Sequence, residues 1–261
     1  MKTVFYKIEC LTNLHVGSGE VNYNVIDNEV EKDAITGLPT IHASGVKGAL
    51  RDALSKTYSA DDIKTYSADD IKKIFGAPGQ ENEAAGGSHR FLDAILISRP
   101  MRVWGDTTMA SVSVVTPDSV NSFLKKMTAF NANPFDITAI SEISFDGNSF
   151  LHTCDDTISV ENEPTAKMDA KAIAELSRLK TVIGDKVAVT KNFDDYDLPV
   201  MARNCLQGTG NLWYEEVVPH GSILYFGVIY PDDSAELKFP DIVQFGGNAS
   251  IGCGYTKITK L

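Results

Sequence analysis

HVGSGEVNYNVIDNEVEKDAITGLPTIHASGVKGALR, residues 15–51, gathers more of the chain's chemistry than any other segment. Two glycines flank Ser18, acids alternate at Asp27, Glu29, Glu31 and Asp33, and Lys47 and Arg51 lie four residues apart. Gly17 and Gly19 allow positive φ and close approach of a ligand to the backbone, and they serve a plain turn equally well. Residues 25–33 read as extended, and on a regular strand acids two apart face one side. Such a face is either a solvated sheet edge or a carboxylate cluster with a task. Ser44 reads as a helix N-cap, and Val46, Ala49, Leu50, Ala53 and Leu54 follow at the spacing of a buried stripe. Lys47 and Arg51 then share a different face, one turn apart. They repel there unless an anion sits between them, either a phosphate or a carboxylate such as Asp52.

Upstream, TVFYKIECLTNL (3–14) alternates as a strand with Val4, Tyr6, Ile8 and Cys10 on one face. Downstream, KTYSADDI occurs at 56–63 and again at 64–71, too short and too few for a repeat architecture. The second copy, with Ser67 and Asp70, reads as a helix start, and the first as a longer surface connection. Residues 76–90 are loop by composition. FLDAILI (91–97) reads as a central strand with Arg99 and Arg102 just beyond it, and Thr116-Pro-Asp opens a helix carrying Val120, Phe123, Leu124 and Met127. Periodicity weakens over 128–163, and 146–163 hold five acids and no Lys or Arg, the pattern of an exposed insertion. Residues 165–183 read as one amphipathic helix through Met168, Ala172, Leu176, Leu179 and Ile183. VAVT (187–190) reads as a short strand, 201–216 as a hairpin with Gly208-Thr-Gly210 near its tip, 222–230 as a buried strand and 255–261 as a terminal one.

A chain of 261 residues, 43% hydrophobic and 23% charged, can bury a full core. No apolar run reaches membrane-spanning length and no signal peptide develops, so a cytoplasmic protein is expected. Four scattered cysteines fit free thiols in a reducing compartment. A net charge of −11 counts against non-specific nucleic-acid binding and makes any such contact narrow or shared between subunits. The glycine-rich FGGNASIGCGY (245–255) precedes only a terminal strand, whereas a phosphate loop must open a helix. Glu215 and Glu216 are adjacent, so a strand sends them to opposite faces, and an acid–base pair there is weak.

In this order, H-V-G-S-G, I-D-N-E-V-E-K-D-A-I-T-G-L-P, S-G-V-K-G-A-L-R and the closing F-G-G-N-A-S-I-G-C-G-Y resemble the signatures of the RAMP superfamily of CRISPR-associated proteins. F-L-D-A-I-L, I-G-D-K-V-A-V and N-L-W-Y-E-E-V-V-P are similar to segments of one branch, the repeated backbone subunit of the type III-B (Cmr) effector complex. The landmarks run from residue 4 to 258.

The resemblance implies a single α+β RAMP domain over 1–261. Its RRM-like (ferredoxin-like) palm would have helical insertions, one of them at about 128–163, and a protruding β-hairpin thumb at about 201–212. It implies copies of the chain stacked helically on guide RNA with other subunits of the complex. Complementary target RNA would be cut at regular intervals by metal-dependent attack of its own 2′-OH, with a non-catalytic guide-binding scaffold as the alternative. A processing nuclease acting alone would need a positively charged groove, which the net charge disfavours. Asp27 matches the family's required aspartate, which acts with Mg²⁺ or another divalent cation held through water. His15 is a second proton-carrier candidate, though a structural hydrogen bond to the turn suits it better. Guide contacts carry over to Gly17, Ser18, Gly19, Ser44, Lys47, Arg51, Gly246, Gly247 and Asn248, and a thumb contact to Arg203. Glu29 and Glu31 depart from the family pattern, where relatives usually carry Pro and a neutral Gln.

Overall fold

The computed structural model describes residues 1–19, 25–56, 66–76, 86–105, 107–194, 196–205 and 211–261. In chain order these form β1 (Lys2–Cys10), β2 (Thr40–Ile41), α1 (Ala43–Ser55), α2 (Ala68–Phe75), β3 (Arg90–Phe91), β4 (Ala94–Gly105) and β5 (Ser111–Val115). There follow α3 (Pro117–Ala129), β6 (Phe150–His152), β7 (Ile158–Val160), β8 (Thr165–Lys167), α4 (Ala170–Ser177), α5 (Lys180–Ile183) and β9 (Val187–Thr190). β10 (Val200–Cys205), β11 (Asn211–Glu216), β12 (Ile223–Tyr230), β13 (Ile242–Gln244) and β14 (Tyr255–Lys260) complete the chain. The class is mixed α+β.

One large mixed sheet has the order β13-β14-β1-β12-β4-β5-β9-β6-β8, with β2 and β7 also pairing with β4 and β3 with β12. β1 lies in its interior, antiparallel to both β12 and β14, and its alternation is buried on both faces. Val4, Tyr6, Ile8 and Cys10 join Leu224, Phe226 and Val228 under α1 and α2. Phe5, Ile223 and Tyr225 point the other way, into a core built from α3 and the α4–α5 pair. Each fully buried side chain of this size stabilises the fold by about 1.5–3 kcal/mol, so a sheet packed on both faces is strongly held. β10 and β11 stand apart as a two-stranded hairpin, Arg203 opposite Trp213.

The helix starts show what local sequence can and cannot specify. Ser67 and Asp70 form a capping box at α2, and Thr116 and Ser119 do the same at α3 behind Pro117. The α1 stripe is also as expected, with Val46, Leu50, Ala53 and Leu54 buried. Its cap is not Ser44, which lies exposed in the first turn. Asp93, from the break between β3 and β4, accepts the Ala43 N–H at 2.6 Å. That break divides the expected 91–97 strand.

β4 then continues to Gly105, so Arg99 and Arg102 lie within it. Arg99 is buried, donates to the carbonyls of Tyr196 and of Asp197 (3.3 Å), and lies 4.9 Å from the Phe193 ring centroid. Burial pushes its guanidinium down to about 10, and it stays charged at neutral pH.

Residues 146–163 are not an exposed stretch, and the segment before them is packed as well. β6 sits between β9 and β8, β7 pairs with the end of β4, and Ile140, Phe145, Phe150 and Val160 are buried. Strands of three residues are too short to show alternation, and the acids fall at turns, as Asp146 (φ 46°) and Glu161 (φ 48°) do. The helix expected over 165–183 is split as well. β8 takes its start, Asp169 caps α4 by accepting the Ala172 N–H at 2.8 Å, and α5 follows a break at Arg178–Leu179. All five stripe residues are nonetheless buried.

Cys10, Cys154 and Cys253 are buried free thiols. Among the described residues no helix is long and apolar enough to cross a membrane. All but Lys56 of the first KTYSADDI copy, most of the 76–90 loop and Gly208-Thr-Gly210 lie outside the described residues.

Candidate functional site

Two adjacent acids of β11 organise the site. Neighbouring strand residues point to opposite faces, and both acids are buried, Glu215 6% and Glu216 5% exposed. A buried carboxylate must be met by donors, and these two are. Glu215 accepts from Trp213 Nε1 at 2.9 Å, from Asn248 Nδ2 at 2.9 Å and from Arg203 Nε. Burial works to raise its pKa, but the hydrogen bonds from Trp213 and Arg203, together with the Arg203 charge, bring it below the ordinary glutamate value. Glu216 accepts from the Val30 N–H at 3.0 Å and from Lys32 Nζ at 3.3 Å.

Through these bonds β11 holds the acid-rich run. The N–H groups of Asp27 and Asn28 both reach the Tyr214 carbonyl at 3.1 Å, and the Glu216 N–H donates to the Asn28 carbonyl at 2.9 Å. Asn28 thus bridges Glu215 in parallel. On the other side, Ser18 N–H donates to the Glu29 carbonyl (3.1 Å) and Glu31 N–H to the Val16 carbonyl (2.7 Å). The run is tied to its neighbours at single bridges instead of along a regular ladder. Asp27 is exposed, with Oδ2 accepting the Tyr214 N–H at 2.8 Å. Glu31 faces His42 Nε2 at 3.1 Å. Asp33 closes a turn by accepting from Thr36 Oγ1 and Thr36 N–H, both 2.8 Å, and these bonds lower its pKa. Val30 between them drops into the core.

The two glycine motifs meet at backbone distance. Gly247 N–H donates to the His15 carbonyl at 2.9 Å, and a Cβ on Gly246 (φ +73°) would lie 2.2 Å from that oxygen. Only glycine fits there. The His15 ring is buried, with Nδ1 at 2.7 Å from the Glu216 carbonyl, an acceptor that assigns the proton to Nδ1. The ring Nε2 lies 3.2 Å from where a Gly17 side chain would begin. His15 is therefore a strut between the glycine loop and β11, as a structural hydrogen bond would have it.

α1 flanks this junction, its Val46 and Leu50 sharing a core with Val243 of β13 and with Phe245. Lys47 and Arg51 are half-buried on its outer surface, and neither has a carboxylate partner among the described residues. Asp52 does not lie between them, because it pairs with Lys56 at 2.5 Å. Arg51 also borders a cleft of about 230 Å³ with Ser55, Tyr66 and Lys72.

The fold thus gathers Gly17, Ser18, Gly19, Gly246 and Gly247 at one junction, ties Asp27 to it through β11, and sets α1 beside it. Ser44 is exposed on the first turn of that helix. Two expected contacts are turned inward. The Arg203 guanidinium is held by Glu215 and lies 3.6 Å from Cys253 Sγ, and the Asn248 amide also goes to Glu215. Both side chains, half-buried, are engaged by Glu215 between the hairpin and the C-terminal loop. Glu215 and Glu216 themselves were missed as organisers, although adjacent acids inside the apolar LWYEEVV run signal buried carboxylates in need of partners.

No group of three or more His, Cys, Asp or Glu among the described residues is arranged to hold a metal ion. The single exposed carboxylate of Asp27 suits an ion such as Mg²⁺ that keeps most of its water shell. Two half-buried cations on α1 and an open carboxylate are the groups that this arrangement offers to phosphates and to an acid–base step.

A family model described as the RAMP superfamily matches residues 7–257. Over 292 aligned residues the chain is 25% identical to the CRISPR system Cmr endoribonuclease Cmr4 of Pyrococcus furiosus, covering 99% of this chain and 96% of that one. Among solved structures it is similar to a chain of the type III-B Cmr-beta complex bound to cognate target RNA. There the TM-score is 0.74 at 22% identity, with 100% and 97% of the two chains covered. Oligomeric Cmr4 from Pyrococcus furiosus is also similar, with a TM-score of 0.72 at 20% identity and coverage of 100% and 98%.

Proposed function

The chain belongs to the RAMP superfamily, and from that premise we propose that it is a backbone subunit of a type III-B CRISPR effector, holding guide RNA and cutting complementary target RNA. The observation that carries this reading is the exposed Asp27 carboxylate, clamped to β11 beside the joined glycine loops.

The neighbours β14-β1-β12-β4 are all antiparallel and follow the spatial order of an RRM-like palm, fourth, first, third and second strand. Where that fold has a second helix, the chain instead runs through β13 and a short 3-10 turn (Ala249–Ile251). β10–β11 is the thumb. The guide is held by its backbone, on Lys47 and Arg51, on Ser44, and on the exposed faces of Gly17, Ser18, Gly19, Gly246 and Gly247. Asn248 and Arg203 shape that surface through Glu215. Base pairing then supplies sequence specificity. A net charge of −11 suits a subunit that shares the RNA with further copies of itself and with other subunits.

RNA contains its own nucleophile, the 2′-OH, so the protein has to supply in-line geometry and a destination for the proton. Asp27 is placed to take that proton, and the products are a 2′,3′-cyclic phosphate and a 5′-OH. A divalent cation held by Asp27 through water would add neutralisation of phosphate charge. His15, its Nδ1 engaged by the Glu216 carbonyl, positions the loop and leaves proton transfer to Asp27. The test is target cutting by the reconstituted complex, wild type against Asp27→Ala, with product ends identified. Loss of cutting with retained target binding is expected. Unchanged cutting would make the chain a guide-holding scaffold, and 5′-phosphate ends would refute 2′-OH attack.

A further inference from the structure

We infer that Glu216 is the positioning residue for Asp27, so that cutting depends on a buried carboxylate that never meets RNA. The inference rests on the reading of Asp27 above. Three separate groups of Glu216 hold the segment that carries Asp27 and the loop behind it. Its N–H donates to the Asn28 carbonyl at 2.9 Å, and its side chain accepts from Val30 N–H at 3.0 Å and Lys32 Nζ at 3.3 Å. Its carbonyl takes the His15 ring at 2.7 Å. Asn28, Val30 and Lys32 are alternate residues, so Glu216 holds the run at three successive points immediately after Asp27, the last two through its carboxylate and the first through a backbone N–H that a substitution leaves in place.

The carboxylate stands in for a ladder partner. Val30 is buried, and its N–H has that oxygen as its acceptor. Without it the amide would turn toward water, and the run from Asp27 would turn with it. Lys32 is half-exposed and holds the second oxygen, which fixes the rotamer of Glu216. A displacement of the reacting group by about 1 Å costs about 100-fold in rate, even when the change lies outside the reacting atoms.

The experiment uses the reconstituted complex carrying Glu216→Ala, Glu216→Gln, Lys32→Met or Asp27→Ala, with single-turnover cutting measured at saturating target and affinity measured separately. We expect Glu216→Ala to lower the cutting rate about 100-fold at unchanged target affinity and unchanged assembly. Glu216→Gln retains an acceptor for Val30 and recovers part of the rate, and Lys32→Met falls between Gln and wild type. If Glu216→Ala cuts at the wild-type rate while Asp27→Ala does not, the inference is overturned and the reading of Asp27 stands. If Glu216→Ala loses target affinity or assembly in step with cutting, its role is general stability and the inference is overturned. If Asp27→Ala itself cuts normally, the underlying reading fails and the inference with it.

Discussion

Replacing Glu215 by Ala should destabilise the protein by about 2 kcal/mol, because it leaves a half-buried guanidinium without its carboxylate. The Arg203 side chain is 15% exposed and that of Glu215 7%. Removing one partner of a fully buried ion pair costs about 3–5 kcal/mol, since the remaining charge keeps its desolvation penalty. Arg203 can reach water in part, as can the half-exposed Trp213 and Asn248, so the cost falls below that range. For a chain of this length that corresponds to a fall in Tm of about 4 °C. The assay is thermal or urea unfolding of the purified subunit at fixed concentration, for Glu215→Ala, Arg203→Met and the double variant. The double variant removes both charges and should be more stable than the sum of the singles by about 2 kcal/mol. A Glu215→Ala change within about 0.5 kcal/mol of wild type, or strict additivity, would refute the idea that this pair braces the two strands of the hairpin.

Two further outcomes follow from the same contacts. Lys47→Ala and Arg51→Ala should each weaken guide RNA binding across all guide sequences and reduce the slope of log affinity against log salt by about 0.7, the single-strand value per phosphate contact; a loss confined to particular guide sequences would contradict backbone holding. Asp33 and Glu215 both lie below ordinary carboxylate values in the folded protein, so their stabilisation is complete above the unfolded-state values and is lost as pH falls through the folded ones. Unfolding free energy should therefore decline below about pH 5 through these carboxylates, after an earlier decline that begins near the ordinary histidine value because burial lowers the folded pKa of His89 and His152; the part below pH 5 should be shallower in Glu215→Gln, and an equally steep decline in that variant would show that Glu215 is not among the groups responsible.

Much of this architecture can be read locally. β1, β12, β14, the hairpin, the stripe of α1 and the capping boxes of α2 and α3 each declare themselves within a dozen residues, because alternation, periodicity and side-chain caps are local physics. The misreadings share one cause, a partner distant in sequence. Asp93 caps α1 from 50 residues away, so Ser44 only looked like the cap. The acid run takes its register from β11, almost 190 residues downstream, where Tyr214 and Glu216 supply the hydrogen bonds that hold Asp27 and Val30. Strands of three residues, as in β6, β7 and β8, carry no alternation to detect; β7 takes its hydrogen bonds from β4, β6 from β9, and β8 from β6.

At the site itself, the glycine motifs and Asp27 were legible as residue types. The inward turn of Arg203 and Asn248 was not, because both point at Glu215 and only the folded chain brings that carboxylate to them. The consequence is mechanical as well as descriptive. A hairpin, a C-terminal loop and an N-terminal loop are joined through two consecutive glutamates facing opposite ways, so the glycine loops and the exposed aspartate are tied to one hairpin.

The most direct measurement is single-turnover cutting of complementary target RNA by a complex reconstituted with Asp27→Ala, alongside wild type, with guide retention and target affinity recorded on the same preparations. The account predicts a complex that assembles, keeps its guide and binds target normally but leaves the target intact. The same cuts at the same rate in Asp27→Ala would contradict it.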